Sequence, residues 1–560
     1  MERPWLKHYG SVPHHLSYPA GSMSDAVLQT ARRIPDGEAL SFMGRSISYA
    51  ALEQEILSTA RAFWGLGIRK GDRVTLCMPN IPQTVYCLYA LNELGAVVSL
   101  IHPLSAEKEI AFYLAEAKSQ TLVTIHQFYD KIQRVQAEYP LKHLIITDID
   151  DALRGIKKWG YRLTIKRKFP KIEKQENLLL WRDFLAKGMP FEPADSAAEE
   201  GAVILFSGGT TGINKGILLT NLNFNALALQ TAAMAAHPVA GKRILAAMPM
   251  FHGFGLGVCV HTALVCGACS ILVPRFNVKD YANLIKKEKP NYIAGVPTLY
   301  EALTRTDYLD KADLSCLLGV FSGGDSLSIE LKRKMDRFLA ERGATVRIRE
   351  GYGTTECVTA SCLTPDQEER EGSIGLPYPD MDYCICKVGT TEEVPYGEEG
   401  EICLCGPSVM KEYLGHPEET AEALRTHADG RIWLHTGDLG LMDADGFIYF
   451  RQRLKRIIVT SGYNVYPSQI ENVLDGHQKV QMSCVIGVPD PYRMHRVKAF
   501  IVPKKGVEPT EELKQELLDY CKTYIAKYAC PREIEFRAEL PKTLVGKVAY
   551  KVLEEQERTR

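Results

Sequence analysis

The stretch Leu205-Phe-Ser-Gly-Gly-Thr-Thr-Gly-Ile-Asn-Lys-Gly-Ile217 decides how the rest of the chain is read. The apolar run from Ala202 to Phe206 has the form of a buried strand. It opens directly into Ser207, Gly208, Gly209, Thr210, Thr211 and Gly212, with Lys215 close behind. A hydrophobic core has no use for that succession, but a phosphate group does. Glycines let backbone N–H groups converge on an anion with no Cβ in the way, hydroxyls add donors, and the lysine adds charge. The spacing is not that of the common P-loop, because no Gly-Lys-Ser/Thr closes the loop at the required distance.

Working outward, helices and short apolar strands alternate on both sides. Upstream, an extended arm leads to a helix over 24–33 and a hairpin over 39–49. Helices over 49–66, 83–94 and 106–117 then separate strands at 73–78, 96–100 and 121–125. Downstream, strands at 243–248, 292–295 and 317–322 are separated by helices over 278–288, 298–306 and 329–342. Such spacing predicts βαβ units and a parallel sheet with helices on both faces. From 382 to 449 the pattern becomes β-rich, and a boundary falls near Arg453 to Lys455. The last hundred or so residues alternate again as a small α+β unit. A chain of 560 residues exceeds one ordinary domain. The expected division is an N-terminal domain over 1–453, with its β-rich subdomain at about 380–450, and a C-terminal domain over 454–560.

Composition sets further bounds. A chain that is 46% apolar and 24% charged can bury a large core. The net charge of −1 offers no electrostatic footprint for nucleic acid. The opening Met1-Glu-Arg-Pro-Trp lacks the apolar stretch and cleavage site of a signal peptide. Fifteen cysteines without a spaced framework suit a reducing, cytoplasmic setting. Cys384-Ile-Cys386 and Cys403-Leu-Cys405 each set two thiols on one strand face, which could make a four-thiolate metal site. As small apolar strand residues they need no metal, and that is the preferred reading. Residues 253–273 lack Asp, Glu, Lys and Arg over a length that suits a bilayer. His261, Thr262 and several glycines favour a buried helix and a core strand instead. Arg154 to Lys174 sets nine cations against Glu173, interleaved with Trp159, Tyr161, Leu163, Ile165 and Phe169. A solvated insertion is the plainer reading, and contact with anionic lipid at the inner membrane face the sharper one.

Five further stretches suit chemistry better than packing. Met248-Pro-Met-Phe-His252-Gly-Phe-Gly255 follows a strand, where doubly wound sheets bind ligands. Ser322-Gly-Gly-Asp325 also follows a strand. Gly351-Tyr-Gly-Thr-Thr-Glu356 joins a ring that can stack on a purine, hydroxyls for a phosphate and a carboxylate for a hard cation. Thr436-Gly-Asp438 offers a carboxylate to a pair of ribose hydroxyls. Leu540-Pro-Lys-Thr-Leu-Val-Gly-Lys547 carries a lysine on a loop-like tail.

Taken together and in this order, the six motifs resemble the adenylate-forming superfamily over nearly the whole chain, from about Ser24 to Lys551. The chain is most similar to bacterial long-chain fatty-acid–CoA ligases. The carriers of that likeness are Glu2-Arg-Pro-Trp-Leu6, the doubled glycine after Ser207, and the basic insertion before Leu178. The resemblance implies a fold: an α/β protein with a large N-terminal region of doubly wound subdomains, a β-rich subdomain, and a small mobile α+β C-terminal domain. It implies a fatty acid activated with ATP as acyl-AMP, then passed to coenzyme A. It also implies roles. Ser207 to Gly212 and Lys215 would hold the β- and γ-phosphates, and Gly323, Gly324, Asp325, Gly351, Tyr352, Gly353 and Thr354 would line the nucleotide site. Thr355 would bond the α-phosphate and Glu356 would bind Mg²⁺. Asp438 and Arg453 would hold the ribose, and His252 would face the acyl carboxylate. Lys547 would be the catalytic lysine, Lys455 the hinge, and Ser461, Gly462, Tyr463 and Asn464 the CoA-facing loop.

Asn214 stands where relatives usually have proline, Gln452 where they have glycine, and Asp325 where they have a small residue. Thr220-Asn221-Leu222 lacks a common histidine. A medium-chain, aromatic or steroid acid, a carrier-protein thiol, and a silent ATP-binding regulator remain as alternatives, and monomer and homodimer both stay open.

Overall fold

The computed structural model describes residues 3–208, 214–460, 463–490, 494–526, 529–543 and 546–559. Two large sheets organise the N-terminal region. One has nine strands, and those from Glu38–Phe42 across to Ile348–Tyr352 run parallel. The other has eight, parallel from Gly201–Gly208 across to Leu178–Leu180, with Asn214–Thr220 and Glu412–Tyr413 added antiparallel at its edge. The apolar strand runs are covered on both faces; Thr121–Ile125 is buried at every position, as parallel sheets require.

Local chemistry starts the helices where the sequence changes character. Ser22 and Asp25 form a reciprocal cap on Met23–Arg33, and Thr220 with Asn223 does the same on Asn221–Met234. Ser328 caps Ile329–Ala340. The charge-free stretch is core. Phe254–His261 winds as a wide helix with every residue buried, Thr262–Val265 continues it, and Cys269–Leu272 is a buried strand. Among the described residues no helix is long and apolar enough to cross a membrane.

The β-rich part is a five-stranded antiparallel sheet: Asp382–Cys386, Gly400–Cys405, Ile432–Met442, Leu424–Thr426 and Ile448–Arg453. It shares one apolar core with the two large sheets. A separate core, from Ile458 to Ile534, belongs to the C-terminal domain. There Met494–Pro503 pairs with four-residue Glu533–Phe536 and with Val480–Asp490.

The N-terminal arm differs from expectation. Instead of lying extended, Pro4–His8 coils into a 3-10 turn. Trp5 is 1% exposed, and Arg3 pairs with Asp382. Burying an indole against the β-rich subdomain outweighs the tendency of a chain end to stay loose.

Candidate active site

Parallel strands expose their carboxyl ends on one edge, and three motifs emerge there from one sheet. His252 follows Arg243–Ala246, Gly323 to Asp325 follow Gly319–Ser322, and Gly353 to Glu356 follow Ile348–Tyr352. The sheet reverses its winding between Arg243–Ala246 and Tyr292–Gly295, where open α/β sheets leave a crevice. The backbones are packed too tightly for side chains. A Cβ on Gly353 would lie 1.8 Å from the Thr359 carbonyl oxygen, and one on Gly253 would lie 1.7 Å from that of Val358. Val358 itself has φ +64°, a conformation that β-branched residues avoid. Gly209, Thr210, Thr211, Gly212, Ser461 and Gly462 lie outside the described residues, as do the side chains of Ser207, Asn214, Lys455, Tyr463 and Asn464.

The β-rich sheet supplies a second wall. Its register sets Asp438 opposite Arg453, with Asp438 Oδ1 3.4 Å from Arg453 Nε. The Tyr352 hydroxyl donates to Asp438 Oδ2 at 2.7 Å. Oδ1 is buried and accepts no hydrogen bond, an acceptor held ready for a ligand hydroxyl. Burial raises the Asp438 carboxyl, and the Arg453 guanidinium opposes that shift.

Lys215 and Glu356 meet around one ring. Lys215 Nζ lies 3.3 Å from Glu419 Oε1 and 5.2 Å from the Tyr413 ring centre. The Tyr413 hydroxyl donates to Glu356 Oε1 at 2.8 Å. The edge strand Glu412–Tyr413 therefore ties the hairpin of Gly201–Gly208 and Asn214–Thr220 to the Gly351–Glu356 segment.

Lys547 arrives from the other domain. A Cβ on Gly324 would stand 3.3 Å from Lys547 Cε and 3.7 Å from its Nζ. At φ +80°, Gly324 is glycine for conformational reasons too. The loop is closed on itself by Thr543 N–H to the Lys547 carbonyl, 2.7 Å, and Lys547 N–H to Thr543 Oγ1, 3.1 Å. It docks through Thr298 Oγ1, which donates to the Gly546 carbonyl at 2.8 Å. Burial lowers the Lys547 ammonium below the usual lysine range. Asp325 opposes that shift, as do Asp438 and Glu356, while Arg453 adds to it.

Burial, then the Lys547 charge, pushes the His252 imidazole down to about 3. Its Nδ1 accepts from Phe254 N–H at 3.2 Å. From Phe254 onward a narrow cleft is lined among others by Phe254, Val258, Phe321, Gly323, Gly351 and Leu363.

The family model for AMP-binding enzymes matches residues 27–414, and that for the AMP-binding enzyme C-terminal domain matches 469–547. The chain belongs to the AMP-binding enzyme family. A long-chain-fatty-acid–CoA ligase of Bacillus subtilis (strain 168) is 35% identical over 99% of this chain and 98% of its own length. A feruloyl-CoA synthase of Amycolatopsis sp is 30% identical over 93% and 96%. Among solved structures, MatB from Rhodopseudomonas palustris with ATP bound is 25% identical over 95% of this chain and 98% of its own, with a TM-score of 0.81. The same protein in its apo form gives 0.73.

Several residues of this AMP-binding enzyme's site carried no signal in the sequence. Tyr413 and Glu419 sit in unremarkable sequence and act by contact alone. Asn80 braces the His252 loop, donating to the Ala246 and Met248 carbonyls and accepting from Met250 N–H. Thr298 is one hydroxyl among many. Two departures also gain an explanation. Asn221 is not part of the cleft: it accepts from Met23 N–H and Asn92 and donates to the Ala197 carbonyl, bolting the first helix down. Gln452 accepts from Ser468 N–H at 3.1 Å, tying the last strand before Lys455 to helix Pro467–Asp475.

Proposed function

We propose that this enzyme is an ATP-dependent acid–thiol ligase that activates a long-chain fatty acid as acyl-AMP and transfers the acyl group to coenzyme A. The observation that carries the reading is the Lys547 ammonium over Gly324, facing Asp325, Glu356 and Asp438 from a different domain. A carboxylate is a poor electrophile, so one of its oxygens first attacks the α-phosphorus of ATP. The bond to the bridging oxygen breaks and pyrophosphate leaves. The CoA sulfur then attacks the acyl carbon, AMP leaves, and the thiol proton is released.

The first step joins two anions. At 4 Å two unit charges repel by about 4 kcal/mol at an effective dielectric near 20. Lys547 offsets that repulsion while negative charge moves onto the leaving group. Tyr352 flanks adenine, and Asp438 Oδ1 takes a ribose hydroxyl beside Arg453. Thr355 donates to the α-phosphate, and Lys215 with the Ser207–Gly212 loop holds the leaving phosphates. Neutral His252 packs at the acyl carboxylate without adding charge. Glu356, oriented by Tyr413, is a hard oxygen donor that fits Mg²⁺; the ion would supply charge neutralisation on the phosphates.

The second step requires Lys547 to withdraw so that the thiol can reach the same carbonyl. The chain turns as a short 3-10 element at Leu454–Arg456, between the two cores. We assign Lys455 as its hinge, with Ser461 to Asn464 swinging towards the pantetheine arm. A panel of carboxylic acids, scored for AMP release with and without CoA, tests the whole reading. Release only with CoA, greatest for long chains, is expected. Preference for an aromatic acid would replace the fatty acid by that substrate class, and AMP release without CoA would remove the thiol step.

A second reading concerns the basic segment. Helix Gly155–Thr164 is anchored by Arg162 to Asp150, with Lys166 just beyond it on Asp150 and Asp148. Its other face exposes Ile156, Trp159 and Leu163, at 91%, 67% and 64%. Three apolar side chains at helical spacing, in a segment that also carries Arg154, Lys157, Arg167 and Lys168, match an anionic bilayer surface at the cytoplasmic face. Replacing Ile156 and Trp159 by serine should abolish co-sedimentation with phosphatidylglycerol vesicles. Unchanged sedimentation would exclude this contact.

A further inference from the structure

The β-rich sheet holds a second chemical cluster that the ligase reaction does not use. Cys384 and Cys386 share one face of Asp382–Cys386, and their sulfurs are 3.6 Å apart. Cys403 pairs with Cys384 on the next strand, and His435 pairs with Cys403 on the one after. Cys403 Sγ is 3.4 Å from His435 Nδ1. His427 closes the group from the turn after Leu424–Thr426. His427 forms one group of ligand atoms within 4.8 Å of one another with Cys384 and Cys386, and a second such group with Cys403 and His435. All five side chains are buried, His427 at 7% exposure and His435 at 6%.

For neutral imidazoles the hydrogen bonds select the tautomers. His435 Nδ1 lies 2.9 Å from Glu401 Oε2, and a carboxylate can only accept, so Nδ1 carries the proton. In the neutral ring His435 Nε2 is then an acceptor. It lies 3.0 Å from His427 Nε2, which must donate. That leaves His427 Nδ1 as a bare lone pair. It is buried and has no hydrogen-bond partner. An unmet lone pair beside thiols is not a packing solution. A tetrahedral cation with metal–sulfur bonds of about 2.3 Å has sulfur–sulfur edges of about 3.8 Å, close to the spacing of Cys384 and Cys386.

We propose that Cys384, Cys386, Cys403 and His427 Nδ1 bind one divalent transition-metal ion of the zinc class. Each thiol releases its proton to solvent on binding. His435 and Glu401 form the outer chain that orients His427, an arrangement usual for metal-bound imidazoles. Cys405, the fourth thiol that the Cys-X-Cys spacing alone would enlist, takes no part. The ion would join two strands and the His427 turn. The link continues to the nucleotide side, because Glu401 Oε1 accepts from Gly437 N–H at 3.0 Å, one residue before Asp438.

The test uses the full-length protein purified under reducing conditions without added metal, with zinc measured by elemental analysis and chelation followed by Co²⁺ titration. About one zinc per chain is expected, along with the absorption of tetrahedral, thiolate-bound Co²⁺. Cys405→Ser should keep both signals, whereas Cys403→Ser and His427→Asn should each lose most of the metal. Zinc at background level in the wild type with no thiolate–Co²⁺ band would overturn the proposal, whatever the variants' folding. So would equal metal content in Cys403→Ser and wild type, or a Cys384–Cys403 disulfide in the freshly reduced protein.

Discussion

Asp438 and Lys547 lie close enough for their charges to interact, yet they are held in place in opposite ways. Asp438 is fixed by strand register: Arg453 stands across the ladder, Tyr352 donates from a second sheet, and Thr436 Oγ1 accepts from its backbone N–H. Lys547 belongs to a domain with its own core, and Thr298 to Gly546 is a hydrogen bond that its loop makes across the interface. The first arrangement suits a group that must stay with the nucleotide through both half-reactions. The second suits one that must be present for the first and gone for the second.

The comparison breaks hardest at the carried group. Lys547→Ala should lower acyl-AMP formation by about two to three orders of magnitude, the usual loss when one electrostatic stabiliser of the transition state is removed. Thioester formation from supplied acyl-AMP should persist; equal loss of both steps would show that Lys547 is not the group that leaves. The same lysine predicts a pH profile. Because burial lowers its ammonium, the charge needed for adenylation is lost on the alkaline side before the ordinary lysine range near pH 10.4. The alkaline limb of kcat/KM, which reports the free enzyme, should therefore lie below that range. Lys547→Arg should remove the limb, since guanidinium does not titrate there.

A smaller effect is expected at the fixed group. Asp438→Ala removes hydrogen bonds to a charged acceptor worth about 1.5–3 kcal/mol, so KM for ATP should rise about 10- to 100-fold. Both half-reactions should suffer, because AMP is held in each. A defect confined to adenylation would erase the distinction drawn between the two groups. The smallest effect belongs to the docking contact. Thr298→Val removes a hydrogen bond worth about 1 kcal/mol net, shifting the docked population about fivefold. Adenylation should slow by that factor while thioester formation from acyl-AMP holds or quickens, as stopped-flow measurement of each step would show.

The strands and helices of the N-terminal region were readable because hydrophobic periodicity and capping are local. Met23–Arg33, Thr121–Ile125 and Val278–Glu288 stand where their sequences call for them. The Pro4–His8 turn was not, because what holds Trp5 is a surface built hundreds of residues later. The site divides the same way. Asp438, Glu356 and Lys547 lie in ordered motifs, whereas Tyr413, Asn80 and Thr298 are ordinary residues until the fold brings them to the motifs.

The cysteine-rich sheet shows the same boundary at finer scale. Alternation along a strand identified two pairs of thiols on strand faces, a local property with a period of two. It could not show that Cys405 stands aside, or that His427 and His435 complete the group. Those choices depend on register between strands and on a turn more than twenty residues away. By itself the sequence determined the order of elements, the place of a glycine- and hydroxyl-rich loop after Ala202 to Phe206, and the family. Only the tertiary structure decided which residues meet, because contact between distant segments is set by packing and strand pairing and leaves no local signature.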